Sequence, residues 1–97
     1  MTSKEAYKHA KEHGPSEETR KIACENPRCA YYYAREVDKC PRDDMREAVC
    51  KNSYWAYWYA YDIDKCFYED TWEAVQNTEW EKKYKEFFNS KMKEEII

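Results

Sequence analysis

This sequence predicts an all-α fold, a short α-solenoid-like stack of helical hairpins, on three observations. The stretch Thr19–Asp44 overlays Met45–Asp70 without a gap at an offset of 26 residues, and 11 of the 26 positions are identical. A fixed period of this length is the mark of a repeat architecture. Within each copy, bulky residues recur four apart, as Cys29-Tyr33-Val37 and Trp55-Tyr59-Ile63, which is the spacing of one helix face. One Gly and three Pro in 97 residues leave little loop-forming composition.

The elements follow in order. A degenerate half-repeat covers residues 1–18, where Ala6-Tyr7-Lys8-His9-Ala10-Lys11-Glu12 resembles Ala30–Glu36 and Pro15-Ser16-Glu17-Glu18 echoes Pro41–Asp44. Repeats 19–44 and 45–70 each read as two short helices. The first, near Asp43–Lys51, opens with acids that favour the positive end of the helix dipole. It ends at Asn26-Pro27 or Asn52-Ser53, where Asn caps the next helix and Pro27 needs no N–H. The second helix spans about Pro27–Lys39 and Tyr54–Lys65, and its pairs Ala30/Ala34 and Ala56/Ala60 let a neighbouring helix approach closely. A divergent capping repeat, 71–97, starts Thr71-Trp72-Glu73-Ala74-Val75. With one residue deleted in its turn, Trp80, Tyr84 and Phe88 fall on Trp55, Tyr59 and Ile63. The alanine positions then become Glu81 and Lys85, a polar face suited to a helix with nothing stacked on it, and Thr78 with Glu81 fits a capping box. The prediction is a single domain, 1–97.

Composition narrows the function. Leu is absent, and ten Tyr, four Trp and five Cys supply the apolar bulk instead. The formal charge of −3, from 17 basic and 20 acidic residues, argues against a binder that tracks nucleic-acid phosphates. No apolar run approaches the roughly 20 residues of a membrane span, and Met1-Thr2-Ser3-Lys4-Glu5 does not open a secretion signal. The odd number of cysteines favours a reducing, cytoplasmic setting.

The phrase Ala-Tyr-x-Tyr-Ala, then an acid, Val or Ile, and Asp-Lys, stands at Ala30–Lys39 and Ala56–Lys65. It resembles a short tandem helical repeat, opening with Ser-Pro or Asn-Pro, found in proteins of tailed phages and some bacteria. The resemblance covers Thr19–Asp70, and Ser53 and Phe67 depart from it where proline is usual. It implies a helical array and a phage origin, hence the cytoplasm of the host cell, and it brings no catalytic or ligand residues.

No enzyme is expected, because Gly14 is the only glycine and the serines sit at predicted helix ends. His9-Ala10-Lys11-Glu12-His13 spells the inverted zinc-protease motif, but Gly14-Pro15 ends the helix at once and no third ligand is marked out. Cys24 and Cys29, flanking one turn, are the other weak metal candidates; the stronger reading treats buried cysteine as a small hydrophobe. Neither a metal nor a cofactor is expected.

The aromatics are the sharper feature. Tyr33, Tyr59 and Trp55 belong in the core. Tyr32, Tyr54 and Trp58 lie on the adjacent stripe with Glu36 and Asp62, while Tyr31, Tyr57 and Tyr61 lie on the other side. Tyr32, Tyr54, Trp58, Tyr61, Asp62 and Glu36 are therefore the candidate partner-binding residues, in a non-enzymatic module that binds, and inhibits, a host protein complex such as a defence system. Two alternatives stand beside it. One is a nucleotide or single-strand binder that stacks bases on the same rings, disfavoured by the interspersed acids. The other is a structural, self-associating repeat, including a homodimer that hides leftover aromatic surface.

Overall fold

Short polar side chains open the helices by taking up first-turn amides. In the computed structural model, which describes the backbone of residues 1–96 and the side chains of residues 1–88, α1 spans Ser3–His13. Thr2 caps it: the Thr2 hydroxyl accepts from the Glu5 amide at 3.1 Å, and the Glu5 carboxylate accepts from the Thr2 amide at 3.3 Å. This reciprocal box satisfies two orphan donors. Gly14, at φ 95°, ends α1 in a conformation that favours glycine. Helix α2 (Glu17–Ala23) is capped by Ser16, α3 (Pro27–Tyr33) by Asn26, and α5 (Ser53–Tyr59) by Asn52. Helices α4 (Asp43–Val49) and α6 (Glu69–Val75) begin with pairs of acids. Before α7 (Trp80–Ile96), the Thr78 hydroxyl accepts from the Trp80 amide at 3.2 Å. Helices and turns account for all regular structure among the described residues, as the all-α prediction requires.

Helices α3 and α5 end differently from the sequence expectation. Each widens into a π-helical turn, Ala34–Asp38 and Ala60–Asp64. The Lys39 amide donates to the Ala34 carbonyl at 2.9 Å and the Lys65 amide to the Ala60 carbonyl at 2.8 Å. Both lysines then take left-handed backbone, φ 57° and 55°, at a cost of roughly 1–2 kcal/mol for a residue with a Cβ. An ion pair stands beside each of these turns. Arg20 grips Asp38 at 3.0 and 2.7 Å, and Arg46 grips Asp64 at 2.9 and 2.7 Å, each with both arms of the guanidinium. Both arginines are held more firmly protonated by these carboxylates, whereas burial pushes the Asp64 carboxyl up against the pull of Arg46.

The core is built from tyrosine and alanine. Tyr33, Tyr59 and Tyr84 are fully buried, and each hydroxyl is tied to the backbone of a preceding turn. Tyr33 accepts from the Ser16 amide at 3.1 Å and donates to its carbonyl at 3.2 Å. Tyr59 does the same with Arg42, at 2.9 and 3.0 Å, and Tyr84 with Tyr68, at 3.4 and 3.1 Å. A buried hydroxyl must find partners, and here it also pins the turn between two helices.

Ala6 and Ala10 of α1, Ala30 and Ala34 of the α3 segment, and Ala56 and Ala60 of the α5 segment are all at most 1% exposed. These seams lie where α1 meets α3 and α3 meets α5. On α7, at the positions expected to form a polar face, Lys85 is exposed and Glu81 half-buried. The molecule is elongated, 44 × 21 × 15 Å. The end of the predicted 71–97 capping unit, from residue 89, lies outside the described side chains.

Candidate protein-interaction face

Aromatic residues on successive helices of one face touch in series. Tyr7 meets Tyr32 at 6.1 Å between ring centroids, Tyr32 meets Trp55 at 5.9 Å, and Trp55 meets Tyr54 at 4.7 Å. Tyr54 then meets Trp80 at 5.1 Å, Trp80 stacks on Tyr57 at 5.3 Å, and Tyr61 meets Phe87 at 4.5 Å. Edge-on and tilted contacts of this kind contribute beyond the area they bury.

Along this ribbon Tyr54 is 42% exposed, Tyr61 40% and Phe87 45%, whereas Tyr32 and Trp58 are half-buried. Trp58 lies between Tyr54, Tyr57 and Tyr61. Its indole N–H is buried without a hydrogen-bond partner among the described residues, an arrangement that costs roughly 1–3 kcal/mol. Four of the sequence-predicted residues, Tyr32, Tyr54, Trp58 and Tyr61, thus fall on one connected surface.

The two acids have a different setting. Glu36 accepts from the Tyr7 hydroxyl and Asp62 from the Tyr31 hydroxyl, so each carboxylate on a later helix holds a tyrosine of an earlier one. Burial, reinforced by Asp62, pushes the Tyr31 phenol above its ordinary value. Tyr31 and Tyr57 are buried between the helices instead of lining an opposite face, because their hydroxyls or rings are needed there: Tyr31 for Asp62, Tyr57 for Trp80.

Phe87 is an exposed ring of this ribbon that sequence reasoning missed, and Tyr68, exposed elsewhere, is another. The one-residue deletion that puts Tyr84 on Tyr59 also puts Phe87 on Asp62, which was the available signal.

The metal candidates, His9, His13, Cys24 and Cys29, do not converge on one point. His9 and His13 are exposed, with ring centroids 4.5 Å apart, and Glu12 lies 3.8 Å from His13. Among the described residues no group of three or more His, Cys, Asp or Glu is placed to hold a metal ion. All five cysteines are free thiols. Cys24 Sγ lies 3.5 Å from Met45 Sδ, between α2 and α4, while Cys29 sits at the start of α3 beside Tyr7 and Tyr32. No described helix is long and apolar enough to cross a membrane.

Burial pushes the Cys24 thiol from 9.0 up to about 11 and the Cys50 thiol up to about 12. A thiol whose folded value is raised leaves stability untouched below its unfolded value and removes it as the pH rises past that point. These two thiols are therefore expected to leave the denaturation midpoint unchanged up to pH 9 and to lower it between 9 and about 12. Urea unfolding on both sides of that window checks this, and a midpoint that rises through it would refute the buried-thiol assignment.

No family model, curated protein or solved structure matches this chain.

Proposed function

We propose that the chain is a short helical-repeat module, with a 26-residue period, whose work is to bind another protein without catalysis. Contacts that recur along the chain support the repeat. The hydroxyl-to-backbone ties fall on Ser16, Arg42 and Tyr68, which are 26 residues apart. The arginine–aspartate pairs, Arg20–Asp38 and Arg46–Asp64, recur at the same offset, as do Glu36 and Asp62 as tyrosine acceptors. Where α7 ends the row, Trp72 stands in the place of Arg46 and packs on Tyr84 at 5.6 Å.

The single observation that carries the binding reading is the exposed part of the aromatic ribbon, Tyr54, Tyr61 and Phe87 around the unsatisfied Trp58 indole. Rigid rings offer large contact area at low entropic cost and dominate binding hot spots. The likeness of Ala30–Lys39 to the tandem repeat of tailed-phage proteins supports a phage-encoded protein that acts in the host cytoplasm and inhibits a host complex.

The test is partner capture from infected cells, comparing wild type with the double variant Tyr54→Ser/Tyr61→Ser. Both side chains are exposed, so the helical circular dichroism is expected to stay within a few per cent of wild type while capture falls at least about tenfold. Equal recovery of the same partner by both proteins would defeat the assignment.

A further inference from the structure

We propose that the cleft between α1 and the start of α3 seats an aromatic side chain of the protein partner, carried in a segment rich in carboxylates. This rests on the protein-binding reading above and adds the chemistry the partner must supply.

Cys29, Trp55 and Trp80 occupy matched places. The Cys29 amide donates to Asn26, the Trp55 amide to Asn52 and the Trp80 amide to Thr78, each at 3.2 Å. At two of these places an indole covers a tyrosine of the preceding long helix: Trp55 lies 5.2 Å from Tyr31, and Trp80 lies 5.3 Å from Tyr57. Tyr7 is the corresponding tyrosine of α1, and its hydroxyl donates to Glu36 as that of Tyr31 does to Asp62. The residue facing Tyr7, however, is a cysteine. A thiol fills far less space than an indole, and an open cleft of about 500 Å³ remains between Tyr7, Cys29 and Tyr32. The protein's own seated indoles thus show what fits there.

The rim sets the charge of the occupant. Lys8 stands where α3 has Tyr32, and Arg28 stands where α5 has Tyr54, so two ring positions have become cations beside this open cleft. Lys4 adds a third. Glu36, the one carboxylate in the lining, is already engaged by the Tyr7 hydroxyl and lies 3.8 Å from Lys11. Opposite charge steers encounter and fixes register at such a rim. A nucleotide also combines ring and anion, but the first amides of α3, those of Arg28 and Cys29, are taken by the Asn26 side chain and do not face a phosphate. The acidic aromatic peptide is the better match.

The experiment is an amide-resolved NMR titration of the whole protein with the peptide acetyl-Asp-Glu-Trp-Glu-Asp-amide. Saturable shifts at Arg28, Cys29 and Tyr32 are expected, with millimolar or tighter affinity. Cys29→Trp, which places in the cleft the indole already accommodated at the two matched sites, is expected to weaken binding at least about tenfold, whereas Cys29→Ala binds as wild type. Should Cys29→Trp misfold, the surface variant Lys8→Glu/Arg28→Glu gives an equivalent loss, and a peptide with lysine in place of each acid binds at least about tenfold more weakly than the acidic one. Absence of shifts at these amides, or undiminished binding by folded Cys29→Trp, overturns the proposal. So do saturable shifts there with adenosine monophosphate while the peptide is silent, or the same shifts on concentrating the protein alone, which would assign the cleft to a second copy. Tyr54→Ser/Tyr61→Ser leaves this titration unchanged, so failure at the cleft and failure of the ribbon are read separately.

Discussion

Asp64→Ala is expected to destabilise the protein by about 3–5 kcal/mol, because it leaves the guanidinium of Arg46 buried without its main partner. The Asp64 side chain is fully buried and the Arg46 side chain is 4% exposed. Asp43, on the rim and fully exposed, also contacts Arg46 at 2.6 Å but sits in water and replaces little of the lost attraction. For a domain of this size each kcal/mol moves the melting temperature by roughly 4–8 °C, so a fall of at least about 12 °C should be visible by circular dichroism. The companion Asp38→Ala is expected to cost less, since Arg20 is 11% exposed and recovers part of its hydration. Replacing both charges, as Arg46→Met/Asp64→Leu, should recover most of the loss, because burial of a matched pair contributes little net stability over well-packed apolar groups. If Asp64→Ala melts within about 2 °C of wild type, corresponding to less than roughly 0.5 kcal/mol, the pair does not hold α4 to the turn after α5.

Tyr59→Ala should cost a similar amount, about 3–5 kcal/mol, by opening a cavity where an aromatic ring was fully buried. The informative comparison is Tyr59→Phe. That change keeps the ring and removes only the hydroxyl that accepts from the Arg42 amide and donates to its carbonyl. Its expected cost is about 1–3 kcal/mol, the penalty for leaving buried backbone groups without partners. Tyr33→Phe should cost less than Tyr59→Phe, because the Thr19 hydroxyl, 2.8 Å from that of Tyr33, also accompanies the Ser16 turn through a contact to its carbonyl at 3.3 Å, whereas Met45 stands at the matched position beside Tyr59. Urea denaturation of the four proteins orders these effects, and a Tyr59→Phe variant as stable as wild type would show that the hydroxyl ties do not set the turns.

The helices and their caps were legible in the sequence because they depend on near neighbours. Asn26 and Asn52 cap as expected, and the four-residue spacing of alanines placed Ala30, Ala34, Ala56 and Ala60 in buried seams. The π-helical ends were not legible. A helix pattern in Ala34–Asp38 reads the same whether its last amide reaches back four residues or five, and the partner that Asp38 meets there, Arg20, comes from another helix. The side on which Tyr31 lies differs from the sequence expectation for a related reason: its ring and hydroxyl are claimed by Trp55 and Asp62 of another helical segment, and no rule within one helix contains that claim.

The sequence by itself determined the helical class, the near-duplicate segments and which residues were bulky enough to replace leucine, since propensity, capping and periodicity act over a few residues. Only the tertiary structure decided which rings stay in water, which carboxylates are occupied by tyrosine hydroxyls, and that Cys29 leaves a cleft where Trp55 and Trp80 fill theirs. Those outcomes depend on what the neighbouring helix places opposite each side chain, and packing across helices is a property of pairs of segments distant along the chain.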